Sequence, residues 1–441
     1  MNRHDNKDQI MNALTLDIVR SAVAGKAAAF RTKNRLQPAG GEGAKTFPPT
    51  YAGAVYAQET RRVKQPDGSI TTIPCVLIDS VQSQANRHEE ALQNAIDAGR
   101  ISLPLVKVDF SGEQLLDAVG AVTSLTAPHR VADAILRDSE VDGVRFRQTA
   151  VGKSLDNASL QNATPLYELC PTALIFGMWD STGPKGGLGA KFQRAYVSEI
   201  VGVNAIVGRK TSSRIDPLQI RKEAGPVFRK SDGTMTTDAH EAVKDSNGKC
   251  LLYGKSKGKD VYVSADATDF PDAGKPSTAN HGNVTPDFDK DDNKKEKPGG
   301  VTLDYAEQTA VLSLGALRRL HFPVNGERSK ERDIAGQTVL AAVALTAAAL
   351  AYETGFDLRS RCLLWPENTS EWELLAKPGE EPQRVALSAD DAIKTVKEAV
   401  AAAEALGLKW RSEPLVLKPS ASLVALLRRS QEIAAATPSE E

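Results

Sequence analysis

The stretch VLAAVALTAAALA, from Val339 to Ala351, would form a helix with almost no polar face. Such a helix must be surrounded, either by lipid or by its own protein. Thirteen residues fall short of the roughly 20 needed to cross a bilayer, so the run predicts a buried core helix and no membrane partner. Enclosing it takes a large chain. At 441 residues this one has room for two or three domains, or for one core with large insertions.

The flanking sequence suggests what does the enclosing. QIMNALTLDIVRSAVAGKAA and SVQSQANRHEEALQNAIDAG read as helices, the second stopped by Gly99. TYAGAVYAQETRRV and ITTIPCVLID flank the turn PDGS and read as a hairpin. PHRVADAILRDS predicts a short helix with Pro128 near its first turn. TALIFGMWDS reads as a buried strand entering a glycine-rich loop, and RAYVSEIVGVNAIVG as another strand. From 221 to 300 the composition turns polar (SDGT, SNGK, DKDDNKKEKPGG), which predicts an insertion of hairpins and loops. GVTLDYAEQTAVLSLGALRRLHFP restores an ordered core, CLLWPE reads as the last strand, and 388–406 and 420–436 as terminal helices. Strands alternating with helices, yet with hairpins among them, fit an α+β, ferredoxin-like antiparallel sheet better than a doubly wound parallel one.

Total charge is uninformative at −1, but its distribution is not. Arg20 to Lys64 holds nine basic and two acidic residues, a net +7; Gly183 to Lys222 holds eight and two, a net +6. Residues 366–410 and 266–297 offset them with −4 and −3. Basic side chains beside glycine turns suit a sequence-blind grip on phosphates; a solvated surface paired with the acidic segments accounts for them equally well.

Motifs for chemistry are missing. WDSTGPKGGLGAKFQRA is neither a Walker A loop nor a dinucleotide fingerprint, because Leu188 and Phe192 stand where those motifs need glycine or a hydroxyl. It remains either a backbone clamp for a phosphate or a tight turn. The six histidines lack zinc-protease spacing, and no serine or cysteine has a catalytic neighbourhood. Asp287, Asp289, Asp291 and Asp292 lack EF-hand placement and read as a solvated loop. The expectation is no catalytic residue, no metal and no cofactor. Four widely spaced cysteines, with no secretory leader apparent, suggest the reducing cytoplasm.

Several segments taken together carry a resemblance: LQPAGGEGAKTFPPTYAGAVYA, DSVQSQANRHEEAL, PHRVADAILRDS, TALIFGMWDSTGPKGGLGAKFQRAYVSEIVG, NHGNVTP and GGVTLDYAEQTAVLSLGALRRLHFP. The chain resembles the CRISPR-associated RAMP protein of type I-U (I-G) systems, the repeated backbone subunit of a Cascade-type complex. The resemblance implies an RRM-like palm over 10–220, a polar finger or thumb insertion over 221–300, a return to the palm over 301–366 and a helical C-terminal extension over 367–441. It implies CRISPR RNA as partner, copies of the chain stacked in a filament, other Cascade subunits, and target DNA met through the guide. Base pairing would read sequence while the protein supplies shape and charge. Carried onto this chain, RNA contacts fall to Arg35, Lys45, Asn86, Arg87, His129, Arg130, Lys185, Lys191 and Arg194. Arg61 and Arg62 on the hairpin and Arg318 and Arg319 of the LRRL segment complete the set. Either the hairpin around Gly68 or the 221–300 insertion would be the thumb. The alternative within the same superfamily is a metal-dependent endoribonuclease cutting bound target RNA, with Asp79 and Asp180 as its carboxylates.

Overall fold

The computed structural model describes residues 12–183, 189–256, 259–264, 272–290 and 296–436. They form two compact units, one built chiefly from 12–52, 56–206 and 301–432, the other from 207–300.

The first unit grows around the alanine-rich helix. In chain order, that helix and the three long ones packed on it are α1 (Leu16–Ala24), α2 (Val81–Asp97), α3 (Lys330–Glu353) and α4 (Ala389–Glu404). Ser329 caps α3 by accepting the Arg332 N–H, and Glu331 and Asp333 sit in the first turn, where carboxylates oppose the helix dipole favourably. By length and composition α3 could cross a membrane, yet most of that apolar window is buried inside the protein. Val339 to Ala347 are shut off from solvent by α1, α2, α4 and the sheet. The run of small side chains lets four helices approach closely around one axis.

The helices cover one face of a ten-stranded sheet among the described residues. Its strands are β1 (Asn12–Ala13), β2 (Ala29–Pro38), β3 (Gln58–Lys64), β4 (Ile70–Asp79), β5 (Tyr196–Val203), β6 (Tyr305–Ser313), β7 (Phe356–Arg359), β8 (Cys362–Pro366), β9 (Glu371–Leu374) and β10 (Gln383–Ala386). The spatial order is β1-β10-β9-β2-β6-β5-β4-β3, with β8 on the far end of β2 and β7 beside β8. Every pairing is antiparallel except β1 with β10. Period-2 burial orients β2: Phe30, Thr32, Asn34 and Leu36 face the helices, while Arg31, Lys33 and Arg35 face outward. The chain is thus α+β, with hairpins and long excursions between neighbouring strands.

A hydrogen-bonded seam runs beneath the central strands. Gln84 of α2 donates to Asp79, Ser198 of β5 donates to Gln84, and Gln308 of β6 donates to both Gln84 and Ser198. Asn34 of β2 donates to Gln308, and Thr32 donates to the Glu371 carbonyl of β9. A one-residue slip of any of these strands would strand buried amides without partners, so the seam specifies register.

Two segments differ from the sequence expectation. Thr172–Phe176 is a helix, not a strand; Gly177 (φ 85°) then turns the chain, and only Met178–Trp179 is extended. Helix Thr172–Phe176 is buried throughout, so its apolar run carries no period to tell the two states apart. The 367–441 region is not wholly helical either. It supplies β9 and β10, and Leu415–Pro419, which enters a five-stranded sheet between Val106–Asp109 and Ser139–Val141. Trp372 is buried where β9 pairs with β2, which ties this tail to the core. CLLWPE is accordingly not the last strand.

The second unit is built of short antiparallel pieces. Met235–Thr236, Phe228–Arg229, Leu251–Ser256 and Lys259–Ser264 form one sheet, and Thr211–Arg214 pairs with Val284–Phe288. SDGT and SNGK make the expected turns, with Asp232 and Asp245 side chains accepting backbone N–H groups two residues on. Asp216 accepts the N–H groups of Leu218, Ile220 and Gly282 and so pins that end of the unit.

Candidate functional site

The glycine-rich loop rises from a short ladder in which Met178–Trp179 pairs with Lys191–Phe192. Arg130 holds its base. This buried residue sits in the left-handed region (φ 54°) and grips the Glu89 carboxylate with Nε at 2.7 Å and Nη2 at 2.6 Å. Its Nη1 donates to the Gly177 carbonyl at 3.0 Å, and the guanidinium lies 5.6 Å from the Phe176 ring centre. Burial pushes Glu89 up to about 7, against the Arg130 charge and hydrogen bonds, which pull it down. On the other side of the loop Asp180 accepts from Arg147 at 2.7 Å.

Three cations stand exposed around this base. Lys191 places Nζ 5.3 Å from the ring centre of Trp179, which is itself 55% exposed. Arg194 lays its aliphatic stem against Gly177, where an added Cβ would meet Arg194 Cγ at 3.0 Å. Arg319 reaches Gln193 Oε1 at 3.4 Å and the Gly315 carbonyl at 3.3 Å. Among the described residues no carboxylate pairs with any of the three. Lys185 lies outside the described residues.

The remaining sequence candidates divide in two. Lys45, Arg62, Asn86 and His129 are exposed and widely separated from one another along the chain. Arg35, Arg61, Arg87, Arg130 and Arg318 already have protein partners. Arg35 pairs with Glu367 at 3.3 Å and stacks 3.9 Å over Tyr305. Arg61 lies between Glu59 and Glu199. Arg87 bonds Asp79 at 3.0 Å and the Leu358 carbonyl at 2.6 Å. Arg318 donates to the Ala22 and Val23 carbonyls, each at 2.9 Å, and so satisfies the open C-terminal end of α1. These arginines hold the fold together.

Both carboxylates of the nuclease alternative are engaged too. Asp79 is 1% exposed and takes Gln84, Arg87 and Arg359. Asp180 is committed to Arg147 and packs against Gly183. Among the described residues no group of three or more His, Cys, Asp or Glu side chains is gathered to hold a metal. Burial raises the thiols of Cys75, Cys170 and Cys362, so none is a ready nucleophile.

Sequence reasoning missed Trp179 and Gln193. Reading 172–181 as a buried strand placed Trp179 inside, whereas the turn at Gly177 puts it on the surface beside Lys191. No curated protein matches the chain. The family model for the CRISPR-associated protein GSU0053 matches residues 30–207, from β2 through the glycine loop to the end of β5. Over that stretch the chain is similar to a CRISPR-associated protein family, and the match supports a role in CRISPR defence.

Proposed function

We propose that this chain is a non-catalytic, CRISPR RNA-binding backbone subunit of a Cascade-type effector complex. Supporting that reading is the concentration of three cations, Lys191, Arg194 and Arg319, that pair with no carboxylate among the described residues, at the base of a glycine-rich loop, two of them inside the matched region. Cations free of carboxylates release counterions on meeting a phosphate chain and need not first break an internal pair. The central strands with α2 and α3 would serve as an RRM-like palm. The β3–β4 hairpin, whose tip exposes both faces, or the 207–300 unit would be the thumb. Copies would stack along one guide in the cytoplasm, beside other Cascade subunits, and target DNA would be met by pairing with the exposed guide.

A filter-binding titration with single-stranded RNA tests this. The double variant Lys191→Glu, Arg194→Glu should bind every guide sequence more weakly by a similar factor. Its slope of log affinity against log salt should flatten by about 0.7 per lost phosphate contact. Unchanged affinity and slope would overturn the assignment. The nuclease alternative requires Asp79 or Asp180 to leave its arginines, and is tested by magnesium-dependent cleavage of complementary RNA lost in Asp→Ala variants.

A further inference from the structure

Beside the glycine-loop ladder lies a cavity of about 260 Å³ whose chemistry is divided. Its floor is apolar, formed by Leu174, Phe192 and Leu320, each no more than 5% exposed. Its rim is polar and cationic, formed by Lys191, Gln193 and Arg319. Arg319 engages the Oε1 side of the Gln193 amide, whose N–H₂ has no partner among the described residues.

Such a lining selects its occupant. A small inorganic anion would satisfy Lys191 and Arg319 but leave the apolar floor in contact with water. A purely apolar molecule would fill the floor and leave two cations unmatched. A planar ring carrying a phosphate satisfies both, with the ring on Leu174, Phe192 and Leu320 and the phosphate at the rim. Gln193 then offers donors to a carbonyl on the ring edge. The volume suits one nucleotide and not two.

We infer that this cavity binds a single nucleotide unit, either free or as one unstacked residue of an RNA strand. The inference rests on the RNA-binding reading for its strand form only; a free nucleotide would bind whether or not that reading holds.

The test titrates the full chain with uridine and adenosine 5′-monophosphates and with inorganic phosphate by calorimetry. In parallel, single-stranded RNA and an abasic strand of equal length are measured by filter binding. Arg319→Glu is the reporting variant. Arg319→Lys keeps the charge and controls for misfolding; it should stay within about threefold of the parent. For a free nucleotide, one saturable site is expected, weakened roughly tenfold or more by Arg319→Glu, with inorganic phosphate binding at least tenfold more weakly. For a strand, the parent binds RNA more tightly than the abasic strand, because the ring is what the floor recognises, and Arg319→Glu lowers affinity for both while narrowing that difference. Phosphate binding as tightly as the nucleotides overturns the inference. So does an Arg319→Glu variant that matches the parent for both nucleotide and RNA. If RNA binding then still falls in Lys191→Glu, Arg194→Glu, the backbone-subunit reading stands and the cavity is excluded as its nucleotide site.

Discussion

The outward face of β2 and the rim of the glycine loop carry the same kind of side chain to opposite ends. On β2, Arg31 sits directly across from Glu373 of β9 and bonds it, while Lys33 reaches Glu307 of β6 at 3.3 Å. Antiparallel neighbours bring opposite charges into register, and the cations are spent within the sheet. At the loop no carboxylate among the described residues pairs with Lys191, Arg194 or Arg319. A segmental net charge cannot see this. In the +7 segment Arg31, Lys33 and Arg35 are answered by glutamates more than 270 residues away in sequence, while Lys45 and Arg62 pair with no carboxylate among the described residues. In the +6 segment Arg209 and Lys210 are paired while Lys191 and Arg194 are not.

The comparison can be broken most forcefully at Arg130, which belongs to neither class because it is buried against Glu89. Arg130→Ala leaves an unpaired buried carboxylate and frees the Gly177 carbonyl. It should destabilise by about 3–5 kcal/mol, read from the denaturation midpoint. Less than about 1 kcal/mol would mean that the pair does not brace the loop. Next in size is an acid effect at His88, fully buried between the Gln84 carbonyl and the Tyr196 hydroxyl. Burial is the main cause that pushes its imidazole down to about 4. Between 4 and the unfolded value of 6.5 the unfolded chain binds more protons, so stability contributed by neutral His88 is lost as pH falls through that window. Compared with His88→Gln, the parent should lose about 3 kcal/mol more across it. The difference profile matters because the raised Glu89 acts in the opposite direction in both proteins. Parallel pH profiles would show that His88 does not titrate within the fold. The smallest effect is expected at β2 itself. Arg31→Ala and Lys33→Ala should each change stability by less than about 1 kcal/mol, and RNA affinity should barely move. A loss of RNA binding equal to that at the loop would erase the distinction between spent and open cations.

Much of the architecture was legible because period and punctuation agreed. The β3–β4 hairpin, α2 ending before Gly99, α3 and the Asp-Gly and Asn-Gly turns of the 207–300 unit all follow from local pattern. Thr172–Phe176 was not, since a buried run without period looks alike as strand or helix. Nor were β9 and β10, short segments that become strands only through their partners, β9 against β2 and β10 against β9. The site was partly legible. Lys191 and Arg194 stood out beside a glycine-rich loop and Arg319 in the LRRL segment, but the resemblance marked Arg87, Arg130 and Arg318 alike. Only long-range packing tells a cation that answers a carbonyl or carboxylate from one that faces water.

Leu415–Pro419 has a consequence for how the chain comes to be folded. It lies between Val106–Asp109 and Ser139–Val141, strands made some 300 residues earlier. During synthesis those two pieces wait as separate hairpin halves with open edges, unable to join until the late strand arrives. The five-stranded sheet therefore closes last, across one of the longest loops in the molecule, and its slow assembly is a step at which an unfinished chain is exposed to mispairing.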